Sequence, residues 1–495
     1  MTYGVSARKP SHALKRLRRP QRHPESRSAM TRKNSNPTIA YAGVLLGVFI
    51  IVLDTTIVNV AAPRIQEGLH STITEVQWVV NGYNLMFAAL LLSAGAAADR
   101  FGGRRVFTVG LAVFGIASLA CGFAPSAAIL ISSRALQGAG AALMLPTALA
   151  LAGHLYSEQT ARARAFGRWA AVAGAATVLG PLAGGLLVDS LGWRAIFFVN
   201  VPIAVLSWLL LTLNAPETAL HSHSFDLSGQ LLGMVTLASA AIALTEAGSQ
   251  GWNSPVVLAT LVVTVVAAAA MVAVERRAAE PMVPPGLVTN RQFSAASLVG
   301  LILSVGIYGQ LFVLSLYFQE ARHFTASGTG LALLPFAAVT TVGPLFAGRL
   351  IGRGWVTGTL LFGQVAGAAA SLLLAFADTG TPYWTVAIGL ALLGLCQSAC
   401  QPAVASAALI DAPRQYAGVA SGVLTATRQV GSVLGVALLG GLVSEQRSLL
   451  PGMHAALLIV TTLFVAGSLL TALFIRAHQK PTDQASRHKT ATTST

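Results

Sequence analysis

Lysine is missing from most of this sequence: none occurs between Lys33 and Lys480 in a chain of 495 residues. A nucleotide-binding phosphate loop requires a lysine, so the absence excludes an ATPase built on such a loop in that stretch. No His-Glu-x-x-His motif is present, and His221 and His223 lie in a short polar segment without further ligand residues. Neither a metal nor any other cofactor is therefore predicted, and the energy source left open is an ion gradient.

Cysteine and charge are scarce as well. Cys121, Cys396 and Cys400 all fall in apolar runs, which indicates packing and no disulfide framework. Charged residues make up only 10% of the chain and hydrophobic residues 54%, whereas soluble domains carry about 25% charge. The chain is therefore predicted to be an all-α integral membrane protein without a large soluble domain, and it is not predicted to be an enzyme.

The net charge of +15 is concentrated in two tails. Residues 1–38 and 476–495 together carry +12 of it. Basic tails of this kind are typical of segments that contact anionic lipid at a membrane surface. The charge therefore does not indicate a nucleic-acid partner, and residues 1–38 and 477–495 are predicted to be tails at the membrane surface.

Fourteen apolar runs are long enough to cross a bilayer. The segments between them are short, so consecutive helices are expected to be antiparallel. The runs cover residues 39–62, 76–98, 105–123, 126–153, 164–188, 193–213, 227–247, 254–274, 293–318, 327–351, 356–377, 383–408, 415–444 and 453–476.

Arginine and lysine predict the orientation of the chain, because cytoplasmic segments are enriched in both. If the N-terminus is inside, the inside segments hold 26 of these residues and the outside segments hold 4. Both termini of this multi-pass protein of the cell membrane are therefore predicted to be cytoplasmic.

An internal repeat relates the two parts of the chain. Gly138 and Pro146 recur as Gly394 and Pro402 at a constant offset of 256 residues. Repeats in the same orientation are common in transporters whose binding site lies between two halves. The predicted domains are a six-helix half at 39–213, two inserted helices with linkers at 214–292, and a second six-helix half at 293–476.

One carboxylate lies deep inside a predicted span. Asp54 stands eight residues before the end of the first run, and Arg134 stands eight residues after the start of the fourth. The first run leads outward and the fourth inward, so the two side chains should lie at a similar depth. A carboxylate there costs several kcal/mol unless it is protonated, paired or hydrated. A static hydrogen-bonded or ion-paired group and a proton switch that parts and re-forms are both open interpretations.

Two glycine-rich segments have a specific spacing. Glycine permits tight turns and close helix approach, and a proline in a helix removes a backbone hydrogen bond and bends it. Topology and generic small-residue packing are the plainer interpretations of these segments. The first, after the second span, holds Gly95, Asp99, Arg100, Gly102, Arg104 and Arg105, and the other, in the fifth span, holds Gly174, Gly180, Pro181, Gly184 and Gly185.

Polar side chains line one face of several spans. Such a stripe would be unfavourable against lipid, so these faces are expected to meet a cavity or another helix. The predicted substrate cavity is lined by Asn59, Gln77, Asn81, Asn84, Gln137, Gln310, Tyr317, Gln397, Gln401 and Arg428.

These segments occur together with two others, Trp193–Pro202 and Ala426–Gly431. In this combination, over about residues 39–476, the chain resembles the major facilitator superfamily, and within it the fourteen-span drug:proton antiporters of the EmrB/QacA type. The resemblance implies a major facilitator fold of two six-helix halves plus two inserted helices. It also implies export of small hydrophobic, often cationic compounds against an inward proton flow, by alternating access.

The resemblance further implies roles for single residues. Asp54 and Arg134 would couple transport to protons, the segment around Asp99 would form a cytoplasmic gate, and the glycines around Pro181 would belong to an antiporter-specific fifth helix. The expected partners are a small-molecule substrate, protons and the lipid bilayer, and a monomer is expected. A dedicated exporter of one endogenous product stays open as an alternative. A sensor or scaffold without transport is disfavoured by the intact Asp54 and Arg134.

Overall fold

The structure is a computed structural model, and it describes residues 1, 3–4, 36–156, 158–215, 227–277, 285–410, 417–444 and 449–475. Every regular element in these ranges is helical, which confirms the prediction of an all-α chain. Nearly all of both predicted tails, residues 5–35 and 476–495, falls outside the described residues.

The helices follow one another with short connections. In the described part of the chain they are α1 (Pro37–Leu69), α2 (Ile73–Phe101), α3 (Gly103–Gly122), α4 (Ala127–Leu155), α5 (Gln159–Leu191), α6 (Ala195–Phe198), α7 (Asn200–Asn214), α8 (Leu227–Gln250), α9 (Pro255–Glu275), α10 (Pro285–Val288), α11 (Arg291–Leu316), α12 (Ala326–Ala332), α13 (Leu334–Gly352), α14 (Val356–Leu374), α15 (Tyr383–Ile410), α16 (Ala417–Ser444) and α17 (Leu449–Phe474). A π-helical turn, Tyr317–Ala321, continues α11.

Twelve helical segments of the described chain are long and apolar enough to cross a membrane. Three of them join neighbouring elements: α6 with α7, α11 with its π-helical turn, and α12 with α13. α2 and α8, with 29 and 24 residues, stand at two further predicted spans but fall outside this set. The described structure thus supports twelve of the fourteen predicted spans.

Prolines accompany two breaks that the apolar runs did not reveal. α7 begins two residues before Pro202, and α13 begins one residue before Pro335. Proline has no N–H to donate to the preceding turn, so the helix cannot continue through it with all its hydrogen bonds. Two predicted spans, 193–213 and 327–351, are therefore each built from two helices.

The repeated glycines, Gly138 and Gly394, both lie where two helices cross at close contact. A Cβ atom on Gly138 of α4 would strike the carbonyl oxygen of Tyr83 in α2. A Cβ atom on Gly394 of α15 would lie 2.7 Å from the carbonyl oxygen of Phe336 in α13. At both crossings the backbones are in contact, which only glycine allows.

The connections between helices lie at two opposite ends of the bundle. We call the end with the connections at 101–103, 155–159 and 352–356 the basic end, and the end with those at 69–73, 191–195 and 321–326 the sealed end. We call α1–α7 the first group and α11–α17 the second group; the predicted domain boundaries at 214 and 292 stay predictions.

Polar bonds join the two groups at the sealed end. Asp189, near the end of α5, accepts hydrogen bonds from the backbone N–H groups of Ala326 and Ser327, at 3.2 and 2.8 Å. The side-chain amide of Gln319 donates to the carbonyl oxygen of Val60 in α1, at 2.8 Å. These contacts bind α1 and α5 to the second group.

Apolar packing has the same asymmetry. One cluster of buried residues crosses from the first group to the second at the sealed end; it includes Ile65 and Phe318. Another cluster belongs to the first group, and Ala426 of α16 packs against it. Near the basic end, Gly95 and Gly348 have open space where a Cβ atom would stand. The polar bonds and the shared apolar cluster therefore join the described groups at the sealed end.

The helices between the two groups form a hairpin. α8 packs against α9 and also against both α2 and α16. The hydroxyl of Thr264 in α9 donates to the hydroxyl of Ser239 in α8, at 2.8 Å, and Gly251 turns the chain with φ of +79°. α8 therefore lies on the seam between the groups, and α9 lies outside it.

We expect Gly138→Ala to destabilise the protein, because the new methyl group would force α4 away from α2. Overpacking of this kind typically costs about 1–3 kcal/mol or more. The thermal midpoint of the purified protein in detergent measures the effect. Gly348→Ala, at a site with open space, is the matched control and should leave the midpoint near that of the wild type; equal midpoints for the two variants would refute the close contact.

Candidate functional site

Asp54 is the centre of a fully buried polar cluster. Its side chain is 0% exposed, and one carboxylate oxygen, Oδ2, is ion-paired with Nη1 of Arg134. The other oxygen, Oδ1, accepts hydrogen bonds from the side-chain amides of Gln137 and Asn200, each at 2.9 Å. Three donors from two other helices thus surround the carboxylate of Asp54.

Arg134 is held as firmly as its partner. Its Nε donates to the carbonyl oxygen of Val79 at 3.1 Å, and Nη1 also donates to Oε1 of Gln137 at 2.7 Å. The guanidinium carbon lies 4.3 Å from the ring centre of Tyr83 and 5.9 Å from that of Phe197. An arginine keeps its charge when buried, so these rings and the carboxylate supply the surroundings that water would otherwise provide.

The sequence prediction placed Asp54 and Arg134 at a similar depth, and their ion pair agrees with it. Gln137 follows Arg134 by one helical turn, so α4 presents both to α1. The predicted cavity residue Gln137 is therefore part of the Asp54 cluster.

Sequence reasoning missed two members of this cluster. Asn200 is the first residue of α7, directly after the break at Val199, and Ser118 comes from α3. The hydroxyl of Ser118 accepts from Asn200 at 3.2 Å and from Gln137 at 3.3 Å, and donates to the carbonyl oxygen of Phe197 at 2.9 Å. A lone asparagine two residues before a proline in an apolar run was the available signal for Asn200.

The cluster pairs one fixed positive charge with one carboxylate that can take up a proton. While the two are in contact their charges cancel, which a buried site strongly favours. A displacement of α1 relative to α4 would leave Asp54 with a buried and uncompensated charge unless it bound a proton. The arrangement can therefore link the protonation of Asp54 to a movement between helices.

Gln77 and Asn81 lie at the seam between the groups. Both are 0% exposed, and within the described structure no hydrogen-bond partner reaches either amide. A Cβ atom on Gly440 of α16 would lie 2.5 Å from the amide nitrogen of Gln77. Gln77 therefore faces the second group at close contact, and the predicted cavity residues Asn81 and Asn84 are buried on the same helix.

Three predicted cavity residues meet in the second group. Gln397 and Gln401 of α15 and Arg428 of α16 line one small cavity against α11. With its amide oxygen turned toward the guanidinium, Gln401 accepts hydrogen bonds from Nη1 of Arg428 at 3.3 Å and from Nη2. This cluster is separate from the one around Asp54.

The remaining predicted cavity residues make local contacts. At the repeat offset of 256 residues, Gln310 corresponds to Asp54, and its Oε1 accepts from the hydroxyl of Ser371 at 3.1 Å. Tyr317 donates to the carbonyl oxygen of Asp378 at 2.7 Å near the sealed end. Asn59 donates to the carbonyl oxygen of Thr55 one turn before it, at 3.0 Å. The structure does not bring these three together with the Asp54 cluster.

The segment predicted as a gate lies at the basic end. Gly102 adopts φ of +92° at the turn between α2 and α3, a conformation that favours glycine. Arg104 donates to the carbonyl oxygen of Thr212 at 2.6 Å, and Arg100 lies 5.5 Å from the ring centre of Phe101. Arg105 is exposed at the start of α3. The side chain of Asp99 lies outside the described residues.

The glycines of α5 face two different neighbours. Gly180 and Gly184 contact α1, beside Thr56 and Ile57. Gly174 and Gly185 face the second group: the carbonyl oxygen of Gly174 accepts from the hydroxyl of Thr341 at 3.1 Å; Gly185 approaches the backbone of Ala326 and Ser327. Around Pro181, α5 therefore lies between the helix of Asp54 and the second group.

Comparison with known proteins identifies relatives over most of the chain. A family model described as Major Facilitator Superfamily matches residues 44–228, 223–436 and 296–494. The methylenomycin A resistance protein of Bacillus subtilis (strain 168) is 37% identical over 435 residues, which are 88% of this chain and 93% of that protein. The multidrug resistance protein Stp of Mycobacterium tuberculosis (strain CDC 1551 / Oshkosh) is 38% identical over 402 residues, or 81% of this chain and 74% of that protein.

A solved structure has the same fold. It is the crystal structure of an auto-inhibited POT family peptide transporter, with a TM-score of 0.65 and 15% sequence identity. The match covers 90% of this chain and 98% of the other. At this identity the likeness concerns the arrangement of the helices and nothing more.

The ion pair between Asp54 and Arg134 can be tested by a double substitution. Removing one partner of a buried ion pair costs about 3–5 kcal/mol, because the other charge is left uncompensated. We therefore expect Arg134→Leu to lower the thermal midpoint strongly, and Asp54→Asn to restore most of the loss in the double variant.

The control is Arg194→Leu, since Arg194 contacts Trp193 and the carbonyl oxygen of Ala124 and no carboxylate in the described structure. Asp54→Asn should not rescue that variant. Thermal unfolding in detergent measures the decrease in midpoint for each variant. If the decreases for Asp54→Asn and Arg134→Leu simply add up in the double variant, the two side chains are not directly coupled.

Proposed function

The chain belongs to the Major Facilitator Superfamily, and from this premise we propose that it is a proton-coupled exporter of small hydrophobic or cationic compounds. The relatives named for methylenomycin A resistance and for multidrug resistance support this choice. The proposal makes the chain a transporter and not an enzyme, with protons as the driving ion and without a cofactor.

The observation that carries the proposal is the buried pair of Asp54 and Arg134. A coupling site must hold a proton in one conformation and release it in another. Asp54 can do so if the pair separates, because a carboxylate left in an apolar interior is far more stable when protonated. Re-forming the pair with Arg134 would then expel the proton.

The contacts at the sealed end indicate the direction of transport that we propose. We place the basic end and both termini in the cytoplasm, in keeping with the excess of arginine and lysine in the segments on that side. The sealed end then faces the outside, and in the proposed loading step the groups part toward the cytoplasm, where an exporter takes up its substrate. Release would require the contacts of Asp189 and Gln319 with the opposite group to break.

The finer assignment is also part of the proposal. We assign the chain to the fourteen-span EmrB/QacA type: α8 and α9 are the two inserted helices, and α2 and α8 cross the membrane in addition to the twelve apolar segments. α5 would transmit movement between α1 and the second group through Gly180 and Pro181, and the turn at Gly102 would form the cytoplasmic gate with Asp99 and its neighbouring arginines. One chain supplies both groups, so we propose a monomer.

A dedicated exporter of a single product is the second candidate. The methylenomycin A resistance relative, whose name states one compound, favours it. Susceptibility of a pump-deleted bacterial host to a panel of unrelated compounds distinguishes the two: protection against one compound class alone would favour the dedicated exporter.

We expect Asp54→Asn to bind ethidium as the wild type does and to lose its uphill export. Asparagine keeps the size and can still hydrogen-bond, but it cannot take up a proton. The measurement is ethidium accumulation in reconstituted vesicles with an imposed pH gradient and a clamped membrane potential.

Asp378→Asn is the matched control, because that carboxylate lies on the exposed loop between α14 and α15. It should export at the wild-type rate. If Asp54→Asn accumulates ethidium with the same rate and the same gradient dependence as Asp378→Asn, Asp54 has no part in coupling.

The orientation has its own test. A reporter that is active only in the cytoplasm should be active when fused after Thr495. A reporter that requires export should be inactive at the same position. The reverse pattern would place the basic end outside and overturn the loading direction.

A further inference from the structure

Arg428 is a half-buried arginine of the second group, and its environment differs from that of Arg134. It lies in the middle of α16, where the surrounding side chains remove part of the water from its guanidinium. Its hydrogen-bond partner in the described structure is the side-chain oxygen of Gln401. No carboxylate of the described residues pairs with it, whereas Arg134 has Asp54. Within the described structure, no negative charge compensates that of Arg428.

The cavity beside Arg428 has a polar wall with open hydrogen-bond donors. Ser304 of α11 and Gln397 of α15 line it together with Arg428 and Gln401, and Leu303 and Val404 are among its apolar contacts. A guanidinium has five N–H donors, and one amide oxygen leaves most of them open. The side chains of Ser304 and Gln397 make no hydrogen bond to other described residues, so they are further open groups. All four polar side chains line the same small cavity.

The size of this cavity limits what can enter it. Its volume is about 10 Å³, which corresponds to roughly one water molecule. It can take one oxygen atom of a ligand's functional group, and the rest of that ligand must lie outside. Planar oxygen anions such as carboxylates fit a guanidinium best, because two oxygens can accept from its two N–H directions at once.

The cavity lies close to the boundary between the groups. Ala426, two residues before Arg428, packs against the apolar cluster of the first group. Tyr308 of α11 is near enough to interact electrostatically with Arg428 and with Tyr83, the ring beneath Arg134. The part of a ligand that stays outside the cavity would therefore lie near the first group.

We propose that Arg428, Gln401, Gln397 and Ser304 bind an anionic oxygen group of the exported compound, such as a carboxylate. The inference rests on the proposed export function and extends its substrate range, adding lipophilic acids to hydrophobic compounds. The apolar ring of such an acid lies between the groups, and its oxygens replace the carboxylate that Arg428 lacks. A cationic group is repelled from this position and must bind elsewhere.

The test is equilibrium binding to the full chain in lipid nanodiscs, with empty nanodiscs as the blank. The two probes are 1-pyrenebutyrate and 1-pyrenebutanol, which share ring and chain and differ in the anionic group. We expect the wild type to bind the carboxylate at least about tenfold more tightly than the alcohol, as measured by pyrene fluorescence anisotropy.

Arg428→Gln should lower the affinity for the carboxylate at least about tenfold and leave that for the alcohol within about twofold. Arg428→Lys keeps the charge but lacks the planar guanidinium, so its affinity for the carboxylate should lie between those of the wild type and Arg428→Gln. Arg349→Gln removes the same charge from α13, where Arg349 lies over Phe346, and should bind both probes as the wild type does. If Arg428→Gln does not fold, Gln397→Leu serves instead and should weaken only the carboxylate.

Equal affinity of the wild type for the two probes would overturn the inference. An equal loss of both probes in Arg428→Gln would also overturn it and leave Arg428 a packing residue. Neither result touches the export proposal, since ethidium export driven by a pH gradient and abolished in Asp54→Asn is measured separately. Conversely, selective binding of the acid without gradient-driven export would support the anion site and refute proton-coupled export.

Discussion

The ion pair between Asp54 and Arg134 is the interaction on which the other contacts of the first group depend. Removing two charges from water costs several kcal/mol for each ion, and the pair recovers this only with good geometry and further hydrogen bonds. Gln137, Asn200, Ser118 and the carbonyl oxygen of Val79 supply them. The backbone contact at Gly138 brings α4 close enough to α2 for the guanidinium to lie over Tyr83.

One helix connects that pair to the seal. α1 carries Asp54 in its middle and, six residues later, Val60, whose carbonyl oxygen accepts from Gln319 of the second group. α5 contacts α1 at Gly180 and Gly184 and reaches the second group through Asp189. A movement that frees Val60 and Asp189 therefore displaces the helix that holds Asp54. The proposed coupling would need no long relay, because one helix, α1, takes part in both contacts.

Much of this arrangement could be predicted from the sequence, and the failures have physical causes. Hydropathy and the absence of charge predicted the membrane helices, and antiparallel counting placed Asp54 level with Arg134. Asn200 and Ser118 were missed because single polar residues in apolar runs give no periodic signal, and their role depends on where α7 restarts after its break. Arg428 was predicted to line a cavity, but only the structure reveals that no carboxylate of the described residues accompanies it.

The hairpin of α8 and α9 has a consequence for the surroundings of the protein. α8 touches α2 and α16 together, and valines of α9 such as Val262 and Val265 are exposed on its outer side. If the two groups rock against each other in the proposed transport cycle, α8 cannot keep both contacts unchanged, and acyl chains must rearrange beside it. The balance between the conformations would then include the lateral pressure and the chain packing of the bilayer, so lipid composition would act on transport.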